Sequence, residues 1–291
     1  MSMDSFARSE RHPDDSFLLV MEDTEQQRLA GCAGVSVLTG ARQAFYAYRL
    51  IPTTHYSHSL EKQVSSQLLH LTNDYTGCSE VGSLFLLPDY RGNGHWLARS
   101  RYLLMGLFRQ RFAESVIAEL RGWSDDEGRS PFWEAIGKHF FQMEFEQADK
   151  LCGLGSNQFI TELMPKYPIY TTLLPDDAQA VIGQPADAGR PAMELLQREG
   201  FRYDNVVDIF DAGPLMQANI DELASVKAIE QRPLTDVSAT PQSVIAANTH
   251  WPDFRVVLSD AQLDEHGIQL PAAERQALQL NEHDSVAFIA L

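Results

Sequence analysis

Apolar and polar positions divide the chain into short elements. Phe17-Leu-Leu-Val-Met21 is an apolar run, Glu22 to Arg28 is charged, and Leu29 to Leu38 is rich in small and β-branched residues. Two such runs across a polar turn predict a β-hairpin. Phe45-Tyr-Ala-Tyr-Arg49 extends the sheet. Leu60 to Leu71 carries apolar residues at helical spacing and predicts a helix, stopped by Asn73, Asp74 and Gly77. Val81 to Leu87 is a near-continuous apolar strand, and Pro88 to Gly94 is a turn. His95 to Phe112 predicts a long helix with Leu97, Leu103, Leu104, Leu107 and Phe108 on its apolar side. Val116 to Leu120 is the next buried strand.

Ser130 is a good N-cap, Pro131 a good first helical residue, and Glu134 sits in the first turn. Phe132 to Phe141 is the helix they start, and Gln142 to Phe145 is expected to enter a strand. The same helix-then-strand pattern recurs 60 residues on, at Pro191, Glu194, Leu196, Arg198 and Phe201. That fits a duplicated unit, and equally a chance likeness between helix-to-strand units. The tail has β-rich stretches at Val244-Ile-Ala-Ala247 and Phe254 to Leu258, a helix at Pro271 to Leu280 and a strand at Ser285 to Leu291. It reads as a small α+β appendage, so the expected division is 1–233 and 234–291.

Bulk composition narrows the class. With 291 residues, 44% of them hydrophobic, the chain can bury a sizeable core. No run approaches the roughly 20 apolar residues of a membrane span. Met1 to Pro13 is polar and charged, which is not the pattern of a secretory signal. Cys32, Cys78 and Cys152 are odd in number and far apart, as expected of buried thiols in a reducing cytoplasm. His55 and His58 are three residues apart with no further ligand in view, so no metal site is expected. The formal charge of −17 argues against nucleic acid and suits a cationic substrate. One segment runs the other way: Arg91, Arg99, Arg101, Arg109 and Arg111 face a single carboxylate, Asp89.

That segment also carries the candidate chemistry. Ser83-Leu-Phe-Leu-Leu-Pro-Asp-Tyr-Arg-Gly-Asn-Gly-His-Trp-Leu97 reads as strand, glycine turn and helix. Gly92 and Gly94 permit positive φ and close approach of a ligand. The helix start offers unpaired N–H groups and the positive end of its dipole. Together they can cradle a diphosphate, although a Gly-x-Gly turn alone is equally an ordinary strand-to-helix connection.

The wider pattern Leu-Pro-Asp-Tyr-Arg-Gly-x-Gly resembles the pyrophosphate loop of the GCN5-related N-acetyltransferase superfamily, with Trp96 in place of the usual last small residue. Longer blocks narrow the resemblance. Asn73 to Glu80, Ala118 to Gly122, Ser130 to Trp133, Gly137 to Phe141, Thr161 to Tyr170, Glu199 to Phe201 and Asp208 to Pro214 are similar to the arginine N-succinyltransferase family, in that family's order. The resemblance runs from about Ser16 to the end.

It implies a mixed α/β acyl-CoA N-acyltransferase sheet flanked by helices. The implied activity is succinyl transfer from succinyl-CoA to arginine, or to ornithine, as the first step of arginine catabolism. Succinyl-CoA would be a cosubstrate, with no tightly bound cofactor and no metal. The enzyme would be cytoplasmic, off the membrane, and paired with itself or a paralogous subunit.

Three departures bear on activity. The family begins with a strand and helix ahead of this chain's start. Its glycine loop is two residues longer, whereas here Arg91 abuts Gly92. Its proton-donor histidine stands in Gly-Gln-Val-His-Pro, and the matching stretch here is Gly183-Gln-Pro-Ala-Asp187, with Ala186 in the histidine's place. The expected acyl-CoA residues are Leu84, Arg91, Gly92, Asn93, Gly94 and His95. The acid–base residue is left open between Asp187, His139 and Glu119, with Tyr167 and Tyr170 as weaker donors. Alternatives to the family activity are a non-catalytic or weakly active paired subunit, or a related CoA-dependent amine acyltransferase.

Overall fold

The structure is a computed structural model describing residues 1–42, 44–153 and 158–291. In chain order it begins with α1 (Ser2–Ala7), β1 (Ser16–Asp23), β2 (Arg28–Ser36), β3 (Ala47–Ser57), β4 (Lys62–Thr72) and β5 (Ser79–Leu86). It continues through α2 (Gly94–Leu107), β6 (Ser115–Glu119), α3 (Lys138–Phe141), α4 (Phe145–Gly153), α5 (Gln158–Leu163), β7 (Ile169–Tyr170), α6 (Asp176–Val181) and α7 (Arg190–Glu199). It ends with β8 (Arg202–Val207), β9 (Pro214–Asn219), α8 (Ala224–Lys227), β10 (Glu230–Pro233), β11 (Gln242–Asn248), β12 (Val256–Leu263), β13 (Ile268–Gln269), α9 (Ala272–Ala277) and β14 (Ser285–Ala290). This is the mixed α/β class expected of the sequence.

The chain folds as two compact units. The first comprises Met1–Leu38, Cys78–Val116 and Ala218–Leu291; the second comprises Thr39–Gly77 and Ile117–Gln217. In the first unit β1, β2 and β5 are neighbours, all antiparallel, and a separate sheet runs β10-β14-β11-β12-β13. The predicted hairpin at residues 17–38 is β1 and β2. Phe6, Phe17, Phe108, Phe112 and Trp251 form a chain of ring contacts, with centroids 4.8–5.8 Å apart. Arg111 lies 3.6 Å over the Trp251 ring and donates to the Arg8 and Ser9 carbonyls at 2.8 and 2.7 Å.

The second unit carries the order β9-β8-β3-β4-β7. Its core packs Tyr48, Leu69, Phe132, Trp133, Ile136 and Val207. Ser130 caps the helix over 131–141 as expected: its hydroxyl accepts from the Trp133 amide at 3.3 Å. The middle of that helix, Trp133–Gly137, is in π form.

Several expectations need correcting. Residues 60–71 are not helical: Leu60 and Glu61 lie in a turn, and β4 follows, paired with β3 from Ser57–Lys62 to Ala47–Thr72. The helical spacing misled because Leu60 and Val64 are exposed, while Leu69 and Leu71 reach the core from a strand. The long helix after the glycine turn stops at Leu107 and tightens into a 3₁₀ turn at Arg109–Arg111. Residues 142–145 are not a strand. Gln142 ends the helix at φ 52°, and α4 follows, the Glu144 carbonyl accepting from the Gln147 and Ala148 amides. The two similar segments therefore diverge: the first leads into a helix, and the second, ended by Gly200 at φ 112°, leads into β8.

Two glycines set the close crossing of residues 120–122 with the Asp211–Pro214 turn. A Cβ on Gly213 would lie 2.0 Å from the Leu120 carbonyl oxygen, and one on Gly122 would lie 2.3 Å from that of Asp211. Both obstacles are backbone, so neither can swing aside. Gly213→Ala is expected to cost about 1–3 kcal/mol, as overpacked sites do. A lowered urea midpoint at unchanged m-value would register it; an unchanged midpoint would mean that the turn yields.

Candidate active site

Within the first unit, antiparallel pairing sorts side chains into alternate rows. Phe17, Val35 and Val81 are in register and buried. The neighbouring rows, Leu18–Gly34–Gly82 and Val20–Cys32–Phe85, point to the opposite face. There Leu18, Val20 and Phe85 are 45%, 54% and 57% exposed, and Gly34 and Gly82 have no side chain at all. Glu80, paired with Ser36, lies on the same face. The sheet thus presents an apolar strip, open at Leu18, Val20 and Phe85, with the half-buried Glu80 carboxyl at one end.

β5 is interrupted on that strip. Cys32 pairs with Phe85 and Gly34 with Gly82, so Ser83 and Leu84 together oppose Ala33. Ser83 adopts φ 52°, the left-handed conformation found at the first position of one class of bulge. A bulge leaves its extra residue out of the ladder, so main-chain groups become available where a regular strand would use them. Arg101, buried on α2, donates from Nη1 to the Gly82 carbonyl at 3.2 Å, and the Cys32 thiol donates to the Ser83 carbonyl at 3.5 Å. The close approach of β2 depends on its glycines: a Cβ on Gly31 would lie 2.5 Å from the Phe85 oxygen.

Downstream of the bulge, Pro88–Tyr90 makes a 3₁₀ turn and Gly92 takes φ 100°. Asn93 is the N-cap and α2 begins at Gly94, as the sequence predicted for this turn. Trp96 and Leu97 donate to the Asn93 carbonyl, so the Gly94 and His95 amides precede the intrahelical ladder. Asn93 Nδ2 donates to the Tyr90 carbonyl at 3.0 Å, and His95 Nδ1 lies 2.9 Å from the Gly92 carbonyl. Tyr90 ties the turn to the β1–β2 hairpin: it donates to Asp23 and accepts from Arg28 Nε at 3.0 Å. That hydroxyl holds the Asp23 carboxyl below the usual carboxylate range.

The run of arginines now divides. Arg101 is spent on the Gly82 carbonyl, Arg109 on Asp221 at 2.7 Å, and Arg111 on the carbonyls of the N-terminal segment. Arg99 sits 5.8 Å over the Trp96 ring. Among the described residues Arg91 and Arg99 have no carboxylate partner, and Arg91 is exposed beside the glycine turn.

The acid–base candidates all fall in the second unit. Ala186 donates its amide to the Arg121 carbonyl at 2.8 Å. Asp187 is exposed and paired with Arg190 at 3.0 Å, and His139 and Tyr167 are exposed. Glu119 is exposed at the end of β6. Arg121 bridges Asp149, at 2.9 and 3.1 Å, and Asp211, at 3.7 Å. Burial and the Asp211 carboxylate push Asp208 up to about 7. Burial, then the charges of Asp208, Asp149 and Glu119, push the Cys152 thiol up to about 11.

Two carboxyls were therefore missed as individuals. Asp208 and Glu80 entered the sequence reading only as members of longer blocks. The available signal was an acid inside an apolar run, an uncommon place for one unless it is paired. Burial raises the Glu80 carboxyl from its ordinary value. Among the described residues no group of three or more His, Cys, Asp or Glu side chains is arranged to hold a metal ion, and no helix is long and apolar enough to cross a membrane.

Comparison with known proteins extends over the whole chain. The family described as arginine N-succinyltransferase beta subunit matches residues 1–225, and its C-terminal domain matches residues 229–290. An arginine N-succinyltransferase from Yersinia pseudotuberculosis is 39% identical, over 96% of this chain and 83% of that protein. One from Escherichia coli is 41% identical, over 96% and 82%. The solved arginine/ornithine succinyltransferase subunit AI from Pseudomonas aeruginosa is 32% identical, with a TM-score of 0.88 over 99% of this chain and 86% of that one. The chain belongs to the arginine N-succinyltransferase family.

Proposed function

We propose that this chain moves the succinyl group of succinyl-CoA onto the α-amino group of arginine, in the cytoplasm, as the first step of arginine catabolism. The observation that carries the reading is the match to relatives named for this reaction over 96% of the chain. In the reaction a neutral amine attacks the thioester carbonyl, a C–N bond forms and the C–S bond breaks. The nitrogen loses a proton and the departing thiolate gains one. The solved relative is named for ornithine as well as arginine, so ornithine is a second acceptor to test.

The open strip of the first unit suits the acyl-CoA. The apolar row Val20–Cys32–Phe85 offers a surface for the pantetheine arm. Leu84, in the bulge, supplies main-chain N–H to the thioester oxygen as it gains charge. The Gly94 and His95 amides, with Gly92, Asn93 and Arg91, take the diphosphate at the positive end of α2. Glu80 is the carboxyl on that strip suited to receive the amine's proton. In this reading residues 1–233 form the acyltransferase and residues 234–291 the appendage, and the working enzyme is an oligomer of this chain or of this chain with a paralogous subunit.

The donor is tested by comparing kcat/KM for succinyl-CoA and acetyl-CoA with arginine as acceptor. Succinyl-CoA should be clearly favoured, and a preference for acetyl-CoA would sink the donor assignment. Arg91→Glu turns one attraction for the diphosphate into a repulsion, so CoA binding by calorimetry should weaken. The loss should shrink as salt rises, because exposed charges are screened. Equal affinity in both proteins would place the diphosphate elsewhere. A slower, paired-subunit reading is favoured by Ala186, whose methyl group has no ionisable proton to give. If a proton donor is needed there, Ala186→His should raise kcat by up to about 10²–10⁴-fold with KM little changed. No gain would mean that the rate of this chain is not limited by a missing proton donor at position 186.

A further inference from the structure

Arg101 is a buried cation, 3% exposed. Among the described residues no carboxylate acts on it: its contacts are the Gly82 carbonyl at 3.2 Å, the Ala98 carbonyl at 3.5 Å and the Tyr102 side chain. A guanidinium stays charged inside a protein, and burying a charge without a counter-ion is costly. The Gly82 carbonyl does not require that charge, because a hydroxyl or an amide N–H would satisfy the same oxygen. The cost has a physical reason where negative charge comes and goes nearby.

α2 packs against β2 and β5. The other face of these strands is the open strip, so α2 covers the face of Phe17, Val35 and Val81, and Arg101 reaches Gly82 from behind the strip. Gly82 is the last residue before the bulge, where Ser83 takes φ 52° and shares its place in the ladder with Leu84. Gly82 has no side chain to hold it. Apart from its chain neighbours, nothing among the described residues lies within 4 Å of where its Cβ would be. Its carbonyl is therefore oriented by what bonds to it. Planar peptide units join that carbonyl to the Leu84 amide across the single residue Ser83, so fixing one end restricts the other.

We propose that Arg101 is a positioning residue for the acyl transfer: it fixes the bulge whose Leu84 N–H faces the thioester oxygen, and it sets a positive charge without a carboxylate partner behind that oxygen. This rests on the reading above of the strip as the acyl-CoA site. As the amine attacks, the carbonyl π electrons move onto oxygen, and they return as the C–S bond breaks. The charge that Arg101 opposes exists only in that interval, so its effect belongs in kcat and not in substrate binding.

Arg101→Met and Arg101→Lys are compared with wild type as full chains, with succinyl-CoA and saturating arginine. Replacing a buried charge by an apolar group of similar size is often neutral for stability, so the thermal midpoint of Arg101→Met should be no lower. A direct oxyanion donor is worth about 10²–10³ in kcat; Arg101 acts through a peptide, so Arg101→Met should lower kcat by about 10- to 100-fold. KM for succinyl-CoA and the calorimetric Kd of free CoA, which has no acyl oxygen, should stay within about twofold. Arg101→Lys keeps the charge, and its kcat should lie closer to wild type than to Arg101→Met. A wild-type chain that does not turn over succinyl-CoA overturns the reading of the strip, and Arg101 with it. An active wild type matched in kcat by Arg101→Met overturns the role of Arg101 alone. So does a loss that falls on CoA affinity or on the thermal midpoint, with lysine no better than methionine, which would make Arg101 only an anchor of α2 on β5.

Discussion

Backbone amides can serve a ligand only where secondary structure gives them up. In the first unit this happens twice within about a dozen residues. The first place is the bulge at Ser83–Leu84, where two residues of β5 face one of β2. The second is the start of α2, where the Gly94 and His95 amides stand ahead of the helical ladder. The rest of the unit holds these two places still. The buried row Phe17–Val35–Val81 anchors one face of the sheet, Arg101 holds the Gly82 carbonyl beside the bulge, and Tyr90 with Arg28 and Asp23 pins the turn. The open strip between them is lined with apolar side chains and glycines, so a thioester and its chain can lie against backbone.

Charge works at two scales. The chain as a whole is strongly acidic, which keeps anions at a distance and suits a cationic acceptor. A polyanionic donor then needs a local reversal. In the proposed site the helix start would supply part of it, and Arg91 and Arg99 the rest. The other arginines of that run are each taken by a carbonyl or a carboxylate. In the second unit the balance is reversed. Arg121 lies among Asp149, Asp211 and the perturbed Asp208, and the main chain at Ala186 is bonded to it. A proton donor at position 186 would have stood next to this network; alanine leaves only its backbone there.

Where the sequence was legible, local physics and tertiary packing agreed. The hairpin β1–β2, the apolar strand β5 and the glycine turn before α2 follow from runs of apolar residues, turn residues and the conformational freedom of Gly92. Ser130 and Pro131 marked their helix start because capping is a local interaction. Family resemblance then supplied what no local pattern contains, the acyl donor and the amine. Local patterns also misled. Residues 60–71 carry a helical spacing, but their backbone partners lie across a hairpin in β3, and pairing along that ribbon outweighs the local preference.

Determined by the sequence alone were the acidic character, the mixed α/β class, and the strand–turn–helix segment proposed above to take an acyl-CoA. These depend on composition and on neighbours a few residues apart. Only the tertiary structure decided which arginines of the 91–111 run lack a carboxylate partner among the described residues, that β5 bulges at Ser83, that Glu80 shares a face with Phe85, and that residues 62–72 pair with β3. Each of these depends on which distant segment lies alongside. Sequence spacing cannot report that, because a charge is free or spent, and a strand paired or open, only in relation to groups brought near by folding.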